Sequence, residues 1–341
     1  MITLTELAHK LDVSVATVSN ALSGKGRMRE EKRRSIIEAA VAEGYDISSV
    51  TDRQRKRNIC VITEQVGCAF SDKIIRGIST AAEGSGNAVS IYNLNMLEKY
   101  GETIESIMMN DDRLKGLINQ TLARIGNTVS GIIYVSQSPR NLDLSLPRLP
   151  YPMVCTYCRT TLGYPTVNYD DMQGAYLATE KLIRSGCKRI AVISGHINSI
   201  PMTNRLNGYQ RALVEHQLAF DPRYMQVGAW TSAAGYDCAK KLLGMEERPD
   251  AIFCQSDAIA FGAIRAAREM GISVPDELSI AGFDAISAAQ LITPKLTTVE
   301  PPFEEMGRRA YETLIDIFNK KPVEKGDVKL PCALREGGTT R

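Results

Sequence analysis

The chain has 341 residues, of which 44% are hydrophobic and 23% are charged, so it has ordinary globular composition and is long enough for about two or three domains. Its 41 Lys and Arg residues nearly balance 39 Asp and Glu residues, which excludes a uniformly basic coat that binds nucleic acid without specificity. No apolar run approaches the length of a membrane span, and the N-terminus lacks a signal-peptide pattern. We therefore expect a cytoplasmic protein that does not contact membranes.

The eight cysteines and three histidines show no spacing typical of a metal site, so no metal and no cofactor is expected. Cys155 and Cys158 form the one CxxC pair. Redox chemistry there is the less favoured alternative, because alternate residues of an extended strand point to opposite faces. Reduced, buried thiols are predicted.

The first 46 residues are predicted to form three short helices around one small core. Thr3 and Glu6 have the spacing of a capping box, Ser14 can cap a second helix, and a third is expected from about Glu30 to Gly44. The residues expected to face the core are Leu4, Leu7, Ala8, Leu11, Val15, Val18, Leu22, Ile36, Ile37, Ala40 and Val41. Two short helices joined by a tight turn are typical of a helix-turn-helix, in which the second helix reads the major groove. A plain helical bundle is the alternative.

Residues 3–24 carry the pattern Thr-Leu-x-x-Leu-Ala-x-x-Leu-x-Val-Ser-x-x-Thr-Val-Ser-Asn-Ala-Leu-Ser-Gly. This pattern closely resembles the DNA-binding headpiece of the lactose-repressor/galactose-repressor family. The resemblance implies that Val15, Ala16 and Asn20 read bases, on a helix face that also exposes Ser19. It further implies residues that contact phosphates or support docking, namely Thr3, Ser14, Thr17, Ser19, Ser23 and Arg27. These residue types suit the task, since Asn can pair with adenine and small apolar side chains pack on the thymine methyl group.

Residues 47–58 are expected to form a polar, basic hinge between the headpiece and the rest of the chain. Family members usually have a short helix here that inserts a Leu wedge into the minor groove, but this chain has Gln54 at that place. Since Gln cannot supply the apolar contact that offsets unstacking, we expect little bending of the DNA, and Gln54→Leu should increase it. The basic residues Arg53, Arg55, Lys56 and Arg57 fit a solvated charge run as well as phosphate contacts.

From residue 59 onward, apolar β-rich runs alternate with amphipathic helical stretches, which predicts parallel sheets in an α/β body. The predicted strands are 59–63, 88–93, 131–135, 153–157, 189–195, 251–257 and 278–284, and the predicted helices include 174–185, 204–216 and 260–270. A Pro-rich stretch near 150–165 divides the strands into two sets, as in a two-lobed body. The Met and Leu residues of the longer helical stretch before Val129 (Met108, Met109, Leu114, Leu117, Ile118) are interpreted as extra packing.

This body resembles the effector domain of the same family, which is similar to periplasmic sugar-binding proteins. The matching segments are 74–78, 129–133, 174–180, 205–209, 256–257, 282–284 and 296–298. The resemblance implies three chain crossings, with one lobe at about 59–164 and 293–322 and the other at 165–292 and 323–341. The expected fold is thus an all-α helix-turn-helix headpiece (1–46), the hinge, and an α/β two-lobed periplasmic-binding-protein-like domain (59–341) with two parallel, doubly wound sheets.

Effectors are expected in the cleft between the lobes, where the carboxyl ends of the strands converge. The residues that the resemblance places there are Phe70, Tyr157, Arg205, Trp230, Ser256, Asp284 and Phe303. Arg205 and Asp284 suit hydrogen bonding to a polar effector, whereas ordinary core packing is the alternative for the aromatic residues. Tyr157 stands where many sugar-binding relatives have Asp, which argues against an ordinary hexose. Arg205→Ala is expected to leave a folded dimer that no longer responds to effector.

The function predicted from the sequence is that of a sequence-specific transcriptional regulator that acts as a repressor. It is expected to bind a roughly palindromic DNA operator as a homodimer or higher assembly, with its affinity changed by a small polar effector such as a sugar or sugar derivative. A cytoplasmic two-lobed α/β enzyme is one alternative, but no phosphate-binding loop or nucleophile-elbow motif occurs. A sugar-binding protein without regulatory role is the other, and the headpiece argues against it.

Overall fold

The computed structural model describes residues 2–23, 28–45, 57–100, 111–125 and 128–341. Arg27, Asp46, hinge residues 47–56, Met108 and Met109 lie outside the described residues, so the expectation about Gln54 and DNA bending has no structural counterpart here. Contacts divide the chain into a small unit, Met1–Arg57 with Gly86–Ala88, and a large unit, Asn58–Ser85 with Val89–Arg341. The two units are considered separately below.

The small unit contains three helices, as predicted: α1 (Leu4–Lys10), α2 (Val15–Ser23) and α3 (Glu30–Ala42). The capping box is present, since the Thr3 hydroxyl accepts a hydrogen bond from the Glu6 amide while the Glu6 carboxylate accepts one from the Thr3 amide at 2.8 Å. Ser14 caps α2 by accepting from the Thr17 amide at 3.0 Å. Gly44, at φ +70°, follows the last turn of α3, where a residue without Cβ adopts this backbone freely.

Seven buried residues form the core of the small unit: Leu7, Ala8, Val18, Ala21, Leu22, Ile36 and Ala40. The predictions for Val15 and Val41 are wrong, because their side chains are 41% and 55% exposed. Val15 is the first residue of α2, and Val41 lies next to the last residue of α3. The exposure of Val15 agrees with the other expectation for this residue, a place on the outer face of α2.

The first lobe of the large unit is built on a sheet with strand order β11-β5-β4-β3-β1-β2. Its strands are β1 (Asn58–Thr63), β2 (Ala88–Asn93), β3 (Gly131–Val135), β4 (Met153–Thr156), β5 (Thr166–Tyr169) and β11 (Asp327–Leu330). Its helices are α4 (Ala69–Ala82), α5 (Met96–Tyr100), α6 (Asp111–Ile125) and α11 (Phe303–Phe318). Pairings of β1 with β3, β3 with β4, β4 with β5 and β5 with β11 are all parallel.

The second lobe has the strand order β12-β10-β9-β8-β6-β7. Its strands are β6 (Ile190–Ser194), β7 (Met225–Val227), β8 (Ala251–Cys254), β9 (Ser279–Phe283), β10 (Thr297–Glu300) and β12 (Ala333–Arg335). Its helices are α7 (Asp171–Arg184), α8 (Ile200–Glu215), α9 (Ser232–Leu243) and α10 (Asp257–Glu269). Only β12, paired with β10, runs antiparallel among the pairings of this described sheet. The two-lobed α/β architecture is therefore confirmed.

The chain crosses between the lobes three times, as the resemblance implies, but the expected lobe boundaries are wrong. β5 lies in the first sheet because Thr166 pairs with both Cys155 and Asp327, and β11 joins it there. β10 lies in the second sheet, where Thr297 pairs with Ala281. The crossings therefore fall at residue 170, at 301–302 and at 331–332. Non-local strand pairing decides these positions, and the Pro-rich stretch that suggested 164 lies within the first lobe, where it includes β4.

Packing in the first lobe supports the interpretation of the long helical stretch before Val129. Leu114, Leu117 and Ile118 of α6 are buried against β1 and β3 residues, so these side chains are core. No described helix is long and apolar enough to cross a membrane.

Helices α4 and α11 of the first lobe approach so closely that they leave no room for side chains at two glycines. A Cβ atom on Gly77 would lie 1.9 Å from the backbone oxygen of Glu304, and one on Gly307 would lie 2.0 Å from that of Ile74. Both obstacles are backbone atoms, which cannot swing aside. The contact therefore requires glycine at both positions.

We expect Gly77→Ala to destabilise the protein by about 1–3 kcal/mol, because the added methyl group must push two helices apart. Gly116→Ala is the matched control. Gly116 also lies inside a helix but has open space around it, so alanine there should stabilise by roughly 0.5–1 kcal/mol. Urea denaturation of both variants measures the difference, and equal midpoints would show that the helices can separate freely.

Candidate functional sites

One face of α2 exposes four small side chains, Val15, Ala16, Ser19 and Asn20, which we call the reading face. The opposite face of α2 is held by Val18, which is fully buried, and by Leu22. The helix thus exposes all three residues that are expected to read bases, Val15, Ala16 and Asn20, and its buried side fixes their orientation. This is the arrangement that a major groove requires of its reading helix.

Three of the five hydroxyl residues expected near DNA phosphates, Thr3, Ser14 and Thr17, already form hydrogen bonds at the starts of helices. The hydroxyls of Ser14 and Thr17 are 2.7 Å apart, and the Thr3 hydroxyl lies 2.8 Å from the Glu6 carboxylate. These bonds keep the side chains at the starts of α1 and α2. The side chain of Ser23 and the whole of Arg27 lie outside the described residues.

In the large unit, Arg205 of α8 is the centre of a buried hydrogen-bond network at the cleft between the lobes. It is 3% exposed, and its guanidinium donates to Asp171 at 2.8 Å, Tyr169 at 2.9 Å and Asp284 at 3.3 Å. It also donates to the backbone oxygen of Gln255. We call these five residues the Arg205 network. They come from the ends of β5, β8 and β9 and the starts of α7 and α8, so the network joins both lobes.

Asp284 directly follows β9 and has φ +105°, an uncommon backbone conformation for a residue with a side chain. Burial raises the pKa of its carboxyl to about 6, while Arg205 and Lys73 lower this pKa and Asp171 raises it. The group is therefore charged at neutral pH but close to titration. Residues in such strained, perturbed positions cluster at functional sites.

Three aromatic residues expected in the site lie together on the first-lobe side of the cleft. The Phe70 ring centroid is 5.1 Å from that of Phe303 and 6.0 Å from that of Tyr157, and the Tyr157 and Tyr169 ring centroids are 5.8 Å apart. Phe303 is 1% exposed and belongs to the core, as the alternative interpretation held. Tyr157 is also buried, whereas Phe70 is partly exposed.

On the second-lobe side, Trp230 packs on Gly195 and remains partly exposed. A Cβ atom on Gly195 would lie 2.1 Å from the indole, so glycine is needed for this approach. The Arg205 guanidinium lies 5.6 Å from the indole centroid. Ser256 is 4% exposed, and its hydroxyl caps α10 by accepting from the Ile259 amide at 3.2 Å. Trp230 is thus accessible to a ligand, while the Ser256 hydroxyl is already engaged.

The sequence interpretation missed Tyr169, Asp171 and Gln255 of the Arg205 network. One weak signal was present. The acidic pair Asp170-Asp171 follows the short segment Thr166–Tyr169, which mixes polar with apolar side chains, and polar residues at the carboxyl end of a parallel strand mark an edge where ligands bind. Gln255 carried no such signal, because it contacts Arg205 through its backbone oxygen, which every residue type has.

Asp257, beside the network, is a fully buried carboxylate whose oxygens accept hydrogen bonds from the Thr298 hydroxyl and the Ile286 amide. Its pKa is raised to about 7, mainly by burial and also by nearby Asp284, while Arg205 acts to lower it. The folded state therefore binds a proton that the unfolded state, with an ordinary value near 3.8, releases. Folding stability contributed by this group falls as pH rises from about 4 to about 7.

We expect Asp257→Asn to be more stable than the wild type at pH 8, because Asn reproduces the protonated form. In the wild type, each pH unit of that window should weaken folding by up to about 1.4 kcal/mol, and the variant should lose this part of the slope. Urea denaturation at pH 5.5 and pH 8 measures both. Asp237→Asn, an exposed change on α9, should leave the wild-type slope intact. A wild-type slope in the Asp257 variant would contradict the assignment.

All eight cysteines are free in this structure; seven are buried, as predicted, and Cys68 is partly exposed. Cys155 and Cys158 are both fully buried in one cluster, because the chain leaves the strand at Tyr157, where φ is +58°. The argument that they point to opposite faces is therefore wrong. The pKa of the Cys158 thiol is raised well above its usual range, mainly by a hydrogen bond with Cys155 and also by burial. A raised pKa opposes thiolate chemistry.

Comparison with known proteins finds relatives that span nearly the full length of the chain. A family model described as a periplasmic binding protein-like domain matches residues 179–340. The chain is 31% identical to the HTH-type transcriptional repressor CytR of Escherichia coli strain K12, over 99% of this chain and 96% of the relative. It is also 30% identical to the catabolite control protein A of Priestia megaterium, over 97% of this chain and 96% of that protein.

Among solved structures, the chain is similar to a transcriptional regulator CelR-cellobiose complex, with a TM-score of 0.65 and 24% identity over 99% of this chain and 100% of that chain. The Lac repressor dimer bound to operator and an anti-inducer matches with a TM-score of 0.65 and 22% identity, over 99% of both chains. Because both identities are below 25%, these two similarities show a shared fold and nothing more specific.

A helix-turn-helix headpiece joined to a two-lobed, ligand-binding α/β domain defines the class of DNA-binding regulators that respond to small molecules. The identity to CytR over nearly the full length then shows that the chain belongs to the lactose-repressor/galactose-repressor (LacI/GalR) family. The protein is a transcriptional regulator, and this prediction is confirmed over the two alternatives. Its relatives are regulators rather than enzymes.

Proposed function

We propose that the protein is a cytoplasmic, dimeric repressor of a pseudo-palindromic operator, and that a small polar effector in the cleft between the lobes changes its affinity for DNA. The observation that carries this proposal is the Arg205 network, which joins the ends of first-lobe and second-lobe strands around a single cation. A ligand that rearranges it would alter how the lobes are held together.

On the DNA side, the proposal assigns base reading to Val15, Ala16 and Asn20. One short reading helix covers only a half-site, so a second copy of the chain is needed for a complete operator. The remaining residues assigned to phosphate contact or docking are Thr3, Ser14, Thr17, Ser19, Ser23 and Arg27. The Lac repressor, which has the same fold, was solved as a dimer on its operator.

On the effector side, Arg205, Asp284 and Trp230 would bind from the second lobe, and Phe70 and Tyr157 from the first. Ser256 and Phe303 would support the site from their buried positions. A ligand shifts the balance between two lobe arrangements only by binding one of them more tightly, with couplings typically of about 1–3 kcal/mol. The cellobiose complex of CelR, which shares this fold, favours a sugar or sugar derivative.

The test uses the full chain. An operator is first enriched from random duplexes, and its affinity is then measured by fluorescence anisotropy with and without sugars, sugar phosphates and nucleosides. At least one compound should change both the operator affinity and the fluorescence of Trp230, the single tryptophan. If a compound changed operator affinity without changing this fluorescence, the effector site would not be in the cleft. Failure to enrich any sequence would overturn the operator proposal.

A further inference from the structure

The first and third crossings between the lobes run side by side. In the first lobe, β5 and β11 pair in parallel along their whole length. The pairing continues past the ends of both strands, because the Asp170 amide donates to the Leu330 backbone oxygen at 2.9 Å. The Cys332 thiol then donates to the Asp170 backbone oxygen at 3.5 Å. We call these two segments, 170–173 and 330–332, the paired crossings.

Gln173 joins the paired crossings on their second-lobe side. Its side-chain oxygen accepts from the Cys332 amide at 2.9 Å, while its side-chain nitrogen donates to the Cys332 backbone oxygen at 3.3 Å. The side chain therefore bonds to Cys332 in both directions, as a neighbouring β-strand would. A flipped side-chain amide would place donor against donor and acceptor against acceptor, so its orientation is fixed. We call these two hydrogen bonds the Gln173 clamp.

Gln173 is itself held by the second lobe. Asp170 caps α7, and its carboxylate accepts a hydrogen bond from the Gln173 amide at 3.1 Å. At the next residue, a Cβ atom on Gly174 would lie 2.9 Å from the Phe283 ring, so this turn of α7 lies directly against the second sheet. The Gln173 clamp therefore fixes Cys332 relative to the second lobe.

The second crossing has a different chemistry. It consists of Pro301 and Pro302, which have no amide N–H to donate to a neighbouring segment. The strand that leads into it, β10, pairs with β12 as far as Glu300 and Ala333. The third crossing thus adjoins the second at Ala333 and is hydrogen-bonded to the first at Cys332.

Sliding one paired crossing along the other would break the hydrogen bonds that join them, whereas paired segments twist with their bonds intact. We propose that Gln173 is a positioning residue for the lobes, because its clamp makes the first and third crossings move as one unit. The lobes then twist about the paired crossings and do not slide past each other. A regulator responds to a ligand by a shift between arrangements, and the clamp limits which arrangements are populated. The inference concerns the paired crossings alone and holds whatever the cleft binds.

Cys332 reports on the clamp directly, since it is the residue that the clamp holds and is 6% exposed. Burial raises the pKa of its thiol above the usual range, so it reacts with a maleimide only when this segment opens. The test follows labelling of each cysteine of the full chain by N-ethylmaleimide, with peptide mass spectrometry. Gln173→Met keeps the length of the side chain but removes both hydrogen bonds. We expect it to label at Cys332 about tenfold faster than the wild type.

Cys254, which is fully buried in β8, reports on unfolding of the second lobe and should keep its wild-type rate in the same sample. Gln226→Met is the matched control. Gln226 lies on β7, at the edge of the second sheet opposite β12, so this change should leave Cys332 protected. An unchanged Cys332 rate in Gln173→Met, or equal acceleration at Cys332 and Cys254, would overturn the clamp. If Gln173→Met does not fold, Gln173→Ala, which suits a helix, is judged by the same outcomes.

A second measurement tests the lobes themselves. Trp230, the single tryptophan, lies in the second lobe, and Cys68, the partly exposed cysteine, precedes α4 of the first. A dansyl group attached to Cys68 accepts energy from Trp230, so the fluorescence decay of Trp230 gives the distribution of distances between the lobes. We expect a broader distribution in Gln173→Met than in the wild type or Gln226→Met. Identical distributions would show that the clamp does not position the lobes and would overturn the inference.

Discussion

Arg205→Ala should destabilise the large unit by about 3–5 kcal/mol, because it leaves the buried carboxylates of Asp171 and Asp284 without their cation. Both carboxylates are largely buried, with 5% and 12% of their side chains exposed, so solvent cannot replace the lost charge. Urea denaturation at pH 8, where the Asp284 carboxylate is charged, should show the largest effect. The expectation from the sequence alone, that this variant stays folded and only loses its response to effector, assumed a solvent-facing arginine.

Arg211→Ala provides the control on the same helix. Arg211 pairs with Glu215 at 2.8 Å, but its side chain is 59% exposed, so its removal should cause no measurable change. A second variant, Arg205→Ala with Asp171→Asn and Asp284→Asn, should recover part of the lost stability because it removes the uncompensated charges. Equal denaturation midpoints for Arg205→Ala and the wild type would contradict the buried network.

Asn20→Ala should lower the affinity for the enriched operator by about 1–3 kcal/mol and relax selectivity at one base pair of each half-site. Asn20 is exposed on the reading face, so the headpiece core of Val18 and Leu22 should remain intact. Gel-shift titrations against the operator and its single-base variants measure both effects. Affinity for unrelated DNA, which depends on phosphate contacts, should change little.

Ser35→Ala on α3 is the companion change, because Ser35 is also exposed but lies outside the reading face. It should bind the operator like the wild type. If Asn20→Ala binds every operator variant as the wild type does, the outer face of α2 is not the part that reads sequence.

Local patterns predicted most elements of the large unit but not the lobe to which each belongs. The apolar runs of β1, β3, β6 and β9 are long enough to identify as strands. β5, β10 and β11 are four residues each and mix polar with apolar side chains, so periodicity alone did not find them. The lobe to which such a strand belongs is decided by its pairing partners. β5 and β11 pair although they are more than a hundred residues apart, and no local pattern contains that information.

The candidate sites show the same division between local and non-local information. The capping box of Thr3 and Glu6 and the exposure of Asn20 follow from helix geometry, so the sequence predicted them. The Arg205 network and the Gln173 clamp depend on where distant strands end relative to each other. The resemblance placed Arg205 in the cleft, but its burial and its partners could be learned only from the fold.

The three crossings also bear on how this chain matures during synthesis. The first lobe lacks α11 and β11 until residue 330 has been made, and until then β5 is an open sheet edge. The second lobe is completed later still, because it needs β12, which pairs with β10, and Thr339, whose hydroxyl accepts a hydrogen bond from the Thr297 amide at 2.9 Å. Neither lobe can therefore close while most of the polypeptide is still emerging from the ribosome. Although domains usually fold in order as they are translated, these two can be completed only after residues 327–340 have been made, and so nearly together.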